Sequence, residues 1–89
     1  MLSILLPVYN CNCVALVTEL QRQCTEYGTD FEIIVADDCS SVASYIEHNL
    51  RIERLDGVRY ITRKHNVGRS AIRNFLISQA QGEWFLFID

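Results

Sequence analysis

Phe31-Glu32-Ile33-Ile34-Val35-Ala36-Asp37-Asp38-Cys39-Ser40 is the stretch on which the fold turns. Four apolar residues in succession, without polar alternation, predict a strand buried on both faces. Strands of that kind occur in parallel sheets covered by helices on either side. The two acids that follow mark the carboxyl end of the strand. Side chains alternate along a strand, so Asp37 and Asp38 point opposite ways. One can face a crevice and accept hydrogen bonds; the other can hold the loop or cap the next helix.

Outward from this strand, the chain repeats the same unit. Ser3-Ile4-Leu5-Leu6-Pro7-Val8 predicts an earlier buried strand. Between the two, Val14, Val17, Leu20 and Cys24 recur at helical spacing, and Gly28 follows as a stop. Beyond Ser40, a second helix is expected over Val42, Tyr45, Ile46 and Leu50, capped by Ser40 or Ser41. Gly57-Val58-Arg59-Tyr60-Ile61-Thr62 alternates and reads as a strand nearer an edge. Ile72, Phe75, Leu76 and Ala80 form a third helical stripe ended by Gly82, and Trp84-Phe85-Leu86-Phe87-Ile88 is a fourth, wholly apolar strand.

The expected fold is therefore α/β: a doubly wound parallel sheet, β-α-β-α-β-α-β, with helices on both faces. Strand order 3-2-1-4 places the least apolar strand at an edge. It also creates a switch point between the first and fourth strands, where ligands bind beyond the carboxyl ends. A fourth strand so apolar is an aggregation hazard at an edge. We therefore expect further strands beyond it, or self-association through it.

At 89 residues the chain is one domain at most. An apolar content of 49% excludes a disordered segment. No apolar run approaches the roughly 20 residues of a membrane helix. The opening run is short and lacks a basic flank, unlike a signal peptide. The expected location is cytoplasmic, with membrane association left open for a longer parent protein. Cys11, Cys13, Cys24 and Cys39 lack zinc spacing and are read as free thiols, with Cys24 on a helix core face.

The net charge is −3, which suggests no nucleic-acid partner, but its distribution is uneven. No acid stands between Asp56 and Glu83, whereas Arg59, Arg63, Lys64, Arg69 and Arg73 all do. Such a segment suits either a local anion partner or a solvated helix face. A dinucleotide G-x-G-x-x-G, a Walker loop and a nucleophile elbow are all missing from the sequence.

Three loops converge at the carboxyl ends. Pro7, Val8 and Tyr9 offer backbone groups and a ring that can stack a base. Asp37 and Asp38 follow the second strand. Asn66-Val67-Gly68-Arg69 opens the third helix, whose N-terminus and arginines suit a phosphate or carboxylate. Asp89 ends the fourth strand at the switch point, a place suited to a divalent cation, magnesium or manganese. His65, in a loop, and His48, on a helix, are read as surface residues.

Taken in order, three blocks resemble an inverting glycosyltransferase of family 2, with the GT-A fold. They are Ser3 to Asn10; Phe31 to Ser40; and Asn66-Val67-Gly68 through Ala71-Ile72-Arg73-Asn74, Ala80-Gln81-Gly82-Glu83 and Phe87-Ile88-Asp89. The resemblance implies that residues 1–89 are the N-terminal nucleotide-sugar-binding portion of such a domain. It implies transfer of a sugar, with inversion, from a nucleotide-diphosphate sugar, normally a UDP-sugar, to a hydroxyl of a saccharide or lipid-linked acceptor. Pro7, Val8 and Tyr9 would contact the base, with Tyr9 stacking; Asp38 would hydrogen-bond it and Asp37 would support the loop. Asn66, Gly68 and Arg73 would line the nucleotide pocket. Asp89 would be the first acid of a D-x-D metal motif. The later acid, the catalytic base and the acceptor half would lie beyond residue 89, so no catalytic residue is expected in this stretch and the fragment alone should be inactive. Two positions depart from the family pattern: Cys39 stands where glycine is usual, and Ser41-Val42 where Thr-Asp is common. The alternative is a non-catalytic nucleotide-binding or protein-interaction module of the same fold.

Overall fold

The computed structural model describes residues 1–88. Its elements are β1 (Leu2–Val8), α1 (Val14–Glu26), β2 (Phe31–Asp37), α2 (Ala43–Asn49), a 3-10 turn (Leu50–Arg54), β3 (Val58–Thr62), α3 (Arg69–Gln79) and β4 (Trp84–Phe87). The sheet is wholly parallel, in the order β3-β2-β1-β4 expected from the strand and helix alternation. β1 is paired on both sides: Leu2 stands opposite Phe31 of β2 and Trp84 of β4.

Strand alternation divides the core into two layers. Ile4, Leu6 and Val8 of β1, with Ile33 and Val35 of β2, face Val17 of α1 and Ile52 of the 3-10 turn. Leu5, Ile34 and Ala36 face the other way, onto Ile72 and Leu76 of α3. This is the three-layer arrangement that continuous apolar strands require. Because α3 covers the second face, the chain must cross the sheet after β3, which is what puts β4 beside β1.

Two glycines do different work. Gly28 has φ +67 and closes α1: its N–H bonds the Thr25 carbonyl while the Thr29 N–H reaches the Cys24 carbonyl. That pair of bonds satisfies the last helical carbonyls and needs a left-handed residue. Gly82 was expected to end α3, yet the helix ends at Gln79 and Ala80 is already extended, with ψ 136. Gly82 is instead a site of close approach: a Cβ there would lie 2.5 Å from the Met1 carbonyl oxygen and 2.6 Å from Ser3 Oγ. The Gly82 N–H donates to Ser3 Oγ at 2.9 Å, and Ser3 Oγ donates to the buried Glu32 carboxylate at 2.6 Å. Glu32 also accepts the Gln81 N–H at 2.6 Å. A buried carboxylate persists only with such donors, and these fasten the turn before β4 to the amino ends of β1 and β2.

The second helix departs from expectation. It starts after an extended Val42 with no side-chain cap, because Ser40 and Ser41 are engaged elsewhere. Val42 and Leu50 are exposed; Ile52, in the 3-10 turn that the periodicity did not show, fills the core position. At Cys39 the backbone adopts φ +59, so the left-handed turn suited to glycine is kept with a cysteine in it. A side chain in that region costs about 1–2 kcal/mol.

Two stability measurements follow from these backbone sites. Gly82→Ala should lose about 1–3 kcal/mol in urea unfolding, because the backbone carbonyl it meets cannot step aside; an unchanged midpoint would refute the close approach. Cys39→Gly should gain up to about 1 kcal/mol, the relief of strain being partly offset by greater freedom in the unfolded chain. A loss of stability at Cys39→Gly would show that the thiol contributes more than the turn costs.

Candidate functional site

The switch point opens into a crevice of about 480 Å³. One wall is the end of β1 with Pro7, Val8 and Tyr9, continued by Cys11, Asn12 and Cys13 into Leu16 of α1. Asp38 forms the floor beyond β2, and Asn66, Gly68, Arg69 and Ile72 bring in the start of α3. Tyr9 is 49% exposed on this wall, where its ring can meet a planar group.

The two acids divide as side-chain alternation requires. Asp37 is fully buried and takes both the N–H of Ser40, at 2.7 Å, and its hydroxyl. It stands outside the crevice lining, where a nucleotide-binding residue was expected, and ties down the β2–α2 loop. Asp38 faces the crevice. Its N–H donates to the Val8 carbonyl at 2.9 Å, and its carboxylate accepts the N–H groups of Val67 at 2.8 Å and Gly68 at 3.0 Å. The Asn66 side chain donates to the Asp38 carbonyl at 3.0 Å. One carboxylate thus fastens the loop before α3, and each oxygen retains a second lone pair for a ligand donor.

The β1–α1 loop is docked onto the β2–α2 loop in a similar way. Asn10 adopts φ +47, a region asparagine tolerates. Its N–H donates to Ser40 Oγ at 2.8 Å, its Nδ2 to Ser41 Oγ at 2.9 Å, and its Oδ1 accepts the Val42 N–H at 3.2 Å. The serines read as helix caps are therefore loop fasteners. Below them lies the buried hydroxyl of Tyr60, beside Asp37 and Asn49 and without a well-formed hydrogen bond to either. Burial raises its pKa above the ordinary phenol range, and the Asp37 charge adds to the effect. Burial likewise pushes the Cys13 thiol up to about 11, with the neighbouring Cys11 next in effect.

Of the residues read from sequence, Pro7, Val8, Tyr9, Asp38, Asn66 and Gly68 line the crevice together. Arg73 stands outside that lining, with its guanidinium 4.1 Å from the centre of the Phe87 ring. Asp89 lies outside the described residues. Among the described residues no group of three His, Cys, Asp or Glu could hold a metal ion. Of the basic stretch, Arg69 alone lines the crevice; Arg63, Lys64 and His65 line a separate hollow of about 300 Å³. Cys11, Asn12, Cys13, Leu16 and Ile72 were not anticipated as lining. The helical stripes and thiols were visible in sequence, but not which of them would face this gap. All four cysteines are free thiols, as expected.

Comparison with known proteins identifies the family. The family description "Glycosyl transferase family 2" matches residues 3–89. An uncharacterized glycosyltransferase of Haemophilus influenzae is 33% identical over 91 residues, covering 100% of this chain and 29% of that protein. The poly(ribitol-phosphate) beta-N-acetylglucosaminyltransferase TarS of Staphylococcus aureus is 31% identical, covering 98% of this chain and 15% of its own length. A crystal structure of S. aureus TarS 1-349 in complex with UDP-GlcNAc superposes with a TM-score of 0.78 at 28% identity, covering 99% of this chain and 26% of that one. The chain thus spans less than a third of the length of these relatives. In sequence and in fold, the chain belongs to glycosyl transferase family 2.

Proposed function

We propose that this chain is the donor-recognition portion of an inverting glycosyltransferase that uses a nucleotide-diphosphate sugar, with a uridine nucleotide as the preferred carrier. The observation that carries the reading is the pairing, across one crevice, of the half-exposed Tyr9 ring with the Asp38 carboxylate. A ring face and a hydrogen-bond acceptor are what a pyrimidine base with an imide N–H requires. The start of α3, with Arg69 on the crevice wall, supplies the positive end that a diphosphate favours. The similarity to TarS, solved with UDP-GlcNAc and with UDP, supports the same class of ligand.

The reaction proposed for the whole protein moves a sugar to an acceptor hydroxyl of a saccharide or lipid-linked carrier. A general base takes the hydroxyl proton as the oxygen attacks the anomeric carbon. A divalent cation, magnesium or manganese, would neutralise the departing diphosphate. Asp89 is the residue assigned to it here, and the described residues alone do not make a metal site, so the steps derived for this chain are binding and orientation only. Cytoplasmic location, with membrane association left open for the full-length protein, remains part of the proposal.

Titration of the chain with UDP, GDP and ADP tests the reading. UDP should bind most tightly. Tyr9→Ala should weaken it by about 1–3 kcal/mol, the range for loss of one base–aromatic stack, with little change in the unfolding midpoint because the ring is half exposed. Asp38→Ala should lower both affinity and stability, since it also releases the Val67 and Gly68 N–H groups. Equal binding of all three nucleotides, or no effect of Tyr9→Ala, would overturn the base assignment.

A second reading rests on β4. Trp84 is 71% exposed and Phe85 and Leu86 are nearly half exposed, on a strand that, among the described residues, is paired on one side only. We infer that in this stretch by itself the edge pairs with another copy of the chain, whereas in a longer protein a further strand would take that place. Sedimentation equilibrium should then show a dimer that Phe85→Lys disperses; a monomer at high micromolar concentration excludes it.

A further inference from the structure

We propose that Asn49, at the far end of α2, is a positioning residue that sets the crevice wall carrying Tyr9; this rests on the nucleotide reading above. Asn49 is the single buried residue of α2, and it is 0% exposed. A core position on an amphipathic helix would ordinarily take an apolar side chain, because a buried amide is costly unless every donor and acceptor is met. Here the acceptor and one donor of the amide are met by a single segment. Asn49 Oδ1 accepts the Cys13 N–H at 2.9 Å, and Asn49 Nδ2 donates to the Cys11 carbonyl at 2.8 Å. The amide grips alternate residues of the β1–α1 loop as a neighbouring strand would.

That loop has little else to hold it from below. Among the described residues, Tyr9 to Asn12 make no backbone–backbone hydrogen bond outside the regular elements. Asn10 attaches the outer side of the loop to Ser40, Ser41 and Val42. Asn49 attaches the inner side, and both residues it grips line the crevice. The next residue after Cys13 begins α1, so the same contact fixes where that helix starts. Asn49 touches no ligand in this arrangement: it lines no part of the crevice and acts through the loop. Preorganisation of this kind raises affinity by removing the ordering cost from the binding step.

The test compares wild type, Tyr9→Ala, Asn49→Ala and Asn49→Asp at a temperature where each is folded, with two readouts. The first is UDP affinity by calorimetry. Asn49→Ala should weaken UDP binding about tenfold, equivalent to about 1.4 kcal/mol. Asn49→Asp keeps the acceptor for Cys13 but sets an oxygen against the Cys11 carbonyl, and should weaken it as well; this variant carries the test if Asn49→Ala does not fold. The second readout is the alkylation rate of Cys13 relative to Cys24 in the same molecule, followed by mass spectrometry. Cys13 is 3% exposed, and Cys24 is half-buried near the carboxyl end of α1, remote from the loop, so the ratio separates local loosening from global unfolding. The ratio should rise at least tenfold in the Asn49 variants and stay unchanged in Tyr9→Ala. An unchanged ratio, or UDP affinity within twofold of wild type while Tyr9→Ala weakens it, overturns the proposal. Failure of the wild type to bind UDP overturns the nucleotide reading instead, and the alkylation ratio then decides by itself whether Asn49 anchors the loop.

Discussion

Everything in this molecule is arranged around one constraint: β1 is hydrogen-bonded on both edges and covered on both faces. A strand in that position can leave the sheet only at its ends. Its carboxyl end, after Val8, is therefore where the chain leaves the sheet for a surface loop. The strands on either side are reached by connections that run in opposite senses, so the loops above them part. The gap between those loops is the crevice.

A gap made by topology alone would be loose. Here it is closed from beneath by polar side chains that substitute for missing backbone partners. Asp37 binds Ser40, Ser40 receives Asn10, and Asn49 holds Cys11 and Cys13. Asp38 does the same on the far side for Val67 and Gly68. Each carboxylate or amide answers loop N–H or C=O groups that no ladder reaches, which buried backbone must have satisfied in some way. The result is three loops cross-linked to one another rather than three independent turns. A site whose stacking ring sits on a loop gains from such cross-links, because loops otherwise lie at the mobile end of a fold's stability range.

The opposite end of the sheet is fastened by a different device. There the Glu32 carboxylate and Ser3 hydroxyl gather the N–H groups of Gln81 and Gly82, and Met1 accepts from Glu83. These bonds locate the start of β4 against β1. They are what allows a short four-residue strand to hold register although its outer edge has no partner among the described residues.

Much of this was legible in the residues. Two continuous apolar runs, each ending in polar residues, specify buried parallel strands, because no other secondary structure hides both faces of so short a segment. The alternation of Val58 to Thr62 specified an edge, and Gly28 a left-handed helix end, for equally local reasons. Local rules also separated Asp37 from Asp38, since neighbours on a strand must point apart. What local rules could not supply was any residue whose role depends on a partner far along the chain. Gly82 looked like a helix stop and is a point of contact with Met1. Ser40 and Ser41 looked like caps and are fasteners for Asn10. Asn49 carried no signal at all, since its partners stand 36 and 38 positions earlier. Periodicity and propensity describe a residue's neighbours in sequence. Which buried polar group meets which unsatisfied backbone is decided only when the packed sheet brings the loops together.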